Sequence, residues 1–181
     1  MHIFPDHIQE IIGGAEEFRA YLGTGQAGEG LLFLYLAYKL VKRDGVIAFV
    51  LPRGLLAGVS WFLARVLLAS KFHVKYVIVS SDSNRGYNFS EGTSLSETLI
   101  VAKRVDSHGD DEDTIFINLP CKPTTALEAV MLAEEIRRSL GELTRGRWRR
   151  VEVGNCSAIV FKVYRGDLLA NVDNWNRFVA V

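Results

Sequence analysis

Two apolar runs with a helix-patterned stretch between them constrain this chain more than anything else in it. VIAFVLP, residues 46–52, shows no alternation and is rich in β-branched and aromatic residues. That is how a strand buried on both faces of a parallel sheet reads. HVKYVIVS, residues 73–80, reads as a second strand with its polar Lys75 near the start. Between them WFLARVLLAS reads as an amphipathic helix carrying Arg65, with Ser60 placed to cap its N-terminus. Ahead of the first strand, residues 30–43 form a strongly apolar helix. Its basic last turn, Lys42-Arg43, suits the negative end of the helix dipole, and Gly45 can take the left-handed cap conformation. A long polar loop, SDSNRGYNFSEGTS, then leads to a third strand, LSETLIVAKR. Helix, strand, helix, strand, loop, strand is the order of an α/β sheet.

The acidic stretch DSHGDDED, residues 106–113, marks the best boundary, between a first region at 1–105 and a small α+β extension at 106–181. The stretch lacks the spaced pattern of a calcium loop and reads as a solvated connection. The extension offers a strand, TIFINLP, then the helix TALEAVMLAEEIRRSL with Thr124 or Thr125 as cap. Two strands, RWRRVEV and SAIVFKVY, and a tail ending NVDNWNRFVAV complete it.

Several function classes fall away. The formal net charge is zero, so nothing pulls the whole molecule toward nucleic acid or an anionic membrane, and such binding needs a local patch. Cys121 and Cys156 form no CxxC, and the four histidines do not pair at metal-ligand spacing, so no metal is expected. The N-terminus carries acids early and no basic-then-apolar leader, and the apolar runs are interrupted before membrane-spanning length. These features point to a cytoplasmic protein with reduced thiols and no membrane segment. No G-x-S-x-G elbow or Cys/His pairing suggests a hydrolase. Gly23, Gly25 and Gly28 do spell G-x-G-x-x-G, the mark of a dinucleotide-binding enzyme. The segment before them, AEEFRAYL, has helical rather than strand spacing, so no strand feeds the turn. Asp44 precedes VIAFVLP, whereas a ribose-binding acid follows the second strand. The glycines read as a connector.

Residues 28–104, GEGLLFLYLAYKLVKRDGVIAFVLPRGLLAGVSWFLARVLLASKFHVKYVIVSSDSNRGYNFSEGTSLSETLIVAKR, resemble the second half of the catalytic domain of N6-adenine DNA methyltransferases. The likeness is closest to the modification subunits of type I restriction systems and related fused enzymes. It rests on the order of an apolar helix, a strand ending in Pro, a helix with an internal Arg, a strand, a polar loop with Phe, and a strand ending in Lys or Arg. The resemblance implies a Rossmann-like sheet that binds S-adenosylmethionine and methylates the amine of an adenine rotated out of the duplex. A stacked base cannot present that amine, so such a site must hold the extruded base by stacking and hydrogen bonds. By position in NFSEGTS, Phe89 matches the family's second base-stacking aromatic.

The sequence departs from the family in two places. Pro5, Pro52, Pro120 and Pro123 all stand alone, so the Pro-Pro catalytic loop is missing, and with it any catalytic residue to name. The first strand with its acidic, Gly-rich cofactor loop is missing too, which leaves the cofactor-binding residues unknown. The expectation is a chain silent by itself, which binds S-adenosylmethionine only when a polypeptide carrying the N-terminal half of the domain completes it. Arg85 and Lys103 are candidate phosphate contacts on DNA. RGRWRR, with Arg145, Arg147, Trp148, Arg149 and Arg150, is the one concentrated basic patch. Its alternatives are DNA contact or an exposed edge strand with Trp148 turned into the core. A non-catalytic DNA-binding or protein-interaction module is the rival reading from another class.

Overall fold

The computed structural model describes residues 28–106 and 112–179. Helix α1 spans Gly28–Leu40, strand β1 Val46–Pro52, helix α2 Phe62–Lys71, strand β2 Phe72–Ser80 and strand β3 Glu97–Arg104. Strand β4 then covers Asp113–Cys121, helix α3 Ala126–Ser139, strand β5 Trp148–Val153, strand β6 Cys156–Tyr164 and helix α4 Arg165–Ala170. Short 3-10 turns occupy Arg53–Leu56, Val59–Trp61 and Trp175–Phe178.

One six-stranded sheet runs in the order β1-β3-β2-β4-β6-β5. The α/β class is as the sequence implied, but the sheet is mostly antiparallel: among the described residues only β2 and β4 pair in parallel. The strand expected to lie buried in a parallel sheet is an edge strand. Among the described residues β1 pairs only with β3, antiparallel, and its residues alternate, with Ile47 and Leu51 buried while Val46 and Val50 are exposed. An unbroken apolar run reports which residues tolerate burial, not whether anything covers their second face.

Two helix ends also differ from expectation. Asp44, not Gly45, takes the left-handed conformation after α1, at φ 60°. Gly45 is needed for space instead, because a Cβ there would lie 2.6 Å from Val41 Cγ2 and 2.8 Å from the Lys42 carbonyl. The α1 carbonyls are met from afar by Arg104, whose Nη1 donates to Tyr38 O at 3.1 Å and Val41 O at 2.5 Å. At α2 the Ser60 cap does not form. The 3-10 turn ahead of the helix, with Trp61 N donating to Gly58 O at 3.1 Å, does that work, and Trp61 buries its indole. At α3 the expected cap is present, with Thr125 and Glu128 forming a reciprocal capping box.

One sheet face carries α1, α2 and α4. Its core includes Leu34, Leu55, Leu67 and Phe72, and residues beyond the acidic stretch join the same cluster: Phe116, Leu168, Trp175 and Phe178. Trp175 is fully buried and its indole N–H donates to Leu168 O at 2.9 Å. The polar centre of this layer is Arg65, 1% exposed. Its guanidinium donates to Leu55 O at 2.8 Å, Gly58 O at 3.0 Å and Asp173 O at 3.0 Å, and also to Val172 O. One side chain from α2 thereby fastens the turn after β1 to the C-terminal tail.

The opposite face is covered over only part of its width. α3 packs on β5 and β6 through Leu132 and Ile136. On β1, β3 and β2 the register puts Val46, Ala48 and Val50 beside Val101, Leu99, Tyr76 and Ile78 on this same face. Among the described residues no helix lies over them.

Candidate functional site

Where that cover ends, a cleft of about 1030 Å³ opens between α3 and the loop joining β2 to β3. Tyr76, Ile78, Leu99, Ile117 and Leu119 form its apolar floor. Ala126, Ala129 and Ala133 present only methyl groups from the helix wall, which leaves the room. Phe89 forms the facing wall, with Arg85, Asn88 and Lys122 at the rim. The cleft lies at the C-terminal end of β2, the end of an open α/β sheet where ligands gather.

The loop is built from its own polar groups. Asp82, 2% exposed, accepts N–H bonds from Asn84 at 3.0 Å and Arg85 at 3.1 Å on one oxygen. The other oxygen accepts from Lys122 N at 2.8 Å. Burial pushes this carboxyl up, but the three backbone donors and the Arg85 charge outweigh it and hold the group below the ordinary carboxylate range. Glu97 closes the other side, taking Phe89 N at 2.7 Å and Ser90 N at 2.8 Å on a single oxygen. Burial raises its pKa as well, and those donors, with the Lys122 charge, bring it down. Asn88 Nδ2 spans to Ser90 O and Thr93 O, both at 2.8 Å. Gly86 sits at φ 76°, where a Cβ would also come within 2.9 Å of Asn88 Oδ1. Phe89 is thus held at its backbone while its half-buried ring packs against the cluster under α3.

Of the residues nominated from sequence, the fold brings together Phe89 and Arg85, whose Nη1 donates to Lys122 O at 2.7 Å. Lys103 lies at the opposite end of β3, paired with Asp44 at 2.7 Å. The RGRWRR residues stand on the far edge of the sheet and in the turn before it. There Arg145 meets Asp113 at 2.5 Å, Arg149 meets Glu142 at 2.6 Å and Arg150 meets Glu152 at 2.6 Å. Arg147 has no carboxylate partner among the described residues. β5 is an edge strand, yet Trp148 is 64% exposed, so it is not turned into the core. Of the second alternative, the edge strand is present and Trp148 lies on its outer face.

Asp82, Glu97 and Lys122 were not singled out from sequence. SDSN carries the mark of an Asx turn, which points to Asp82. Lys122 contacts residues 34 to 40 positions away and leaves no local trace. The glycines at 23–27 lie outside the described residues. Among the described residues, no three His, Cys, Asp or Glu side chains cluster as a metal site, and no helix is long and apolar enough to cross a membrane.

No protein-family model matches the chain, and no curated protein does. Solved structures do. A type IIG restriction endonuclease, BpuSI, matches over 96% of this chain at 19% identity with a TM-score of 0.55. The likeness is one of fold. The match takes in 19% of that enzyme, so the chain spans about a fifth of its length. A modification subunit of a putative type I restriction enzyme from Vibrio vulnificus YJ016 is a weaker match, at 18% identity and a TM-score of 0.48, over 76% of this chain and 28% of that one.

Proposed function

We propose that the chain is part of an S-adenosylmethionine-dependent DNA adenine-N6 methyltransferase of a restriction-modification system, with a partial Rossmann-like sheet completed by another polypeptide segment. The observation that carries this reading is Phe89. It forms one wall of an apolar cleft at the C-terminal end of β2, in a fold similar to part of a restriction enzyme. A flat, uncharged heteroaromatic base suits such a cleft, because stacking needs an aromatic face and exclusion of water rather than charge.

Asp82, the buried acid of this loop, is 2% exposed and already accepts three backbone N–H bonds, so it is spent on the loop and poorly placed to reach a ribose hydroxyl. The cofactor and the groups that accept from the adenine amine are therefore assigned to the completing polypeptide. β1 suits its docking. Among the described residues the strand is unpaired on one side, Val46 and Val50 are exposed on it, and Phe33, Leu36 and Leu40 form an exposed apolar stripe on α1 just before it. A helix apolar all round is ordinarily covered. A non-catalytic interaction module is the second reading, favoured by the same edge.

Calorimetry with S-adenosylmethionine tests the assignment. The chain alone should give no heat, while the complex with its completing polypeptide should bind cofactor and methylate adenine in duplex DNA. One-to-one cofactor binding by the chain alone would overturn the division of labour. A complex that assembles and transfers no methyl group would favour the interaction module.

A further inference from the structure

We propose that Lys122, in the C-terminal extension, is a positioning residue that sets the Phe89 loop, so that the extension is a working part of the cleft. The inference rests on the reading of Phe89 as a ring that meets the ligand. Every polar group of Lys122 is spent on that loop. Its N–H donates to Asp82 Oδ2 at 2.8 Å, and its carbonyl accepts from Arg85 Nη1 at 2.7 Å. Its ammonium donates to Arg85 O at 2.9 Å and to Asn88 O at 2.8 Å. The two side-chain bonds seize the loop just before Phe89, and the Glu97 carboxylate seizes it at Phe89 and Ser90. The aromatic is therefore held on both sides, once from β3 and once from the end of β4.

The contact also ties the loop to the other wall of the cleft. Lys122 leads through Pro123 into the capped start of α3, whose alanines form the other wall of the cleft. A shift of that helix N-terminus moves the ammonium and both carbonyls it holds. Cleft width and Phe89 position thereby change together, and a partner or ligand that presses on the start of α3 reaches Phe89 through one side chain.

Amide hydrogen exchange on the full chain tests this, with 19F spectra of fluorinated phenylalanine reporting the Phe89 ring. In Lys122→Met, the Phe89 and Ser90 amides should exchange about tenfold faster or more, as expected when a charge-assisted pair of bonds is lost. The Phe89 fluorine signal should move toward its solvent-exposed position. The Ile117 and Val160 amides in the β4–β6 ladder should not change. Lys122→Arg, which keeps a cationic donor, should restore most of the protection. Unchanged loop exchange in Lys122→Met would overturn the proposal. So would loosening spread evenly through β4, which would make Lys122 a structural residue. The ligand reading fails separately: 2-aminopurine at the target adenine, indifferent to Phe89→Ala in the assembled enzyme, would remove the stacking role and leave the latch intact.

Discussion

Arg65 and the arginines around Trp148 carry the same side chain into opposite situations. Arg65 is one residue in an apolar helix, buried, with four backbone carbonyls around its guanidinium. The others form a cluster that stands out in the sequence, yet they lie at the surface, where three of the four sit against carboxylates. Arginine holds a fold together where its fork replaces water for groups that cannot reach water. At the surface the same fork trades one solvated partner for another. The consequence of a charge follows from what surrounds it, and counting charges along a sequence inverts the ranking here.

The largest expected effect tests that ranking directly. Arg65→Met keeps the apolar stem and leaves the Leu55, Gly58, Val172 and Asp173 carbonyls without their donor. At about 1–3 kcal/mol for each buried carbonyl left without a donor, the loss should total about 3 kcal/mol or more, a large share of a domain's total stability. Urea denaturation should show the midpoint falling steeply, with the tail at 172–179 first to lose exchange protection. A loss below about 1 kcal/mol would mean that water reaches these carbonyls and that the contrast with the surface arginines is false.

A middle case sharpens the comparison, because Asp82 is a buried charge serving a loop rather than a core. Asp82→Asn retains one acceptor oxygen for three N–H donors and turns an amide N–H toward a donor, at a cost of about 1–3 kcal/mol. The pH dependence has a definite sign. Asp82 and Glu97 both have folded pKa values lowered below their ordinary ones, 3.8 and 4.5. Their contribution is complete above about pH 5 and is lost as the pH falls through the lowered values. Exchange at Phe89 and Ser90 should therefore rise in acid before the β2–β3 ladder opens. In Asp82→Asn the acid limb should be shallower, leaving the part due to Glu97.

Much of this was legible in the chain. Every strand and the three longer helices sit within a few residues of where periodicity and caps put them, since those signals are local. Phe89 was named for base stacking from its place in NFSEGTS, by resemblance rather than by any local signal, and the fold puts it on the wall of the cleft. Sheet order was not, because β4 joins β2 in parallel through residues about 40 positions apart and nothing local encodes that choice. The solvent-facing side of β1 was not legible for the same reason: a valine carries no record of whether a neighbour will cover it. Lys122 was hidden most completely. Its sequence neighbourhood, CKPTT, reads as a strand end and a helix start, and only the fold returns it to the loop before Phe89.

The smallest effect is expected at the cluster that draws the eye. Arg149→Ser removes a pair between exposed groups, and Arg147→Ser removes a side chain with no carboxylate partner among the described residues, so each should change stability by less than about 0.5 kcal/mol. DNA affinity separates the two. Each phosphate neutralised adds about 0.9 to the steepness of log K against log salt on duplex DNA. On any duplex the β5 edge binds, Arg147→Ser should lower that slope by about 0.9, since no carboxylate among the described residues holds its charge. Arg149→Ser should lower it by a smaller amount, because Glu142, 2.6 Å from the guanidinium, competes with the phosphate for it. Equal losses for both would mean that surface pairing does not restrain these forks, and the strip would then count as four available charges. A loss confined to Arg147 would mean that the fold has already spent the rest.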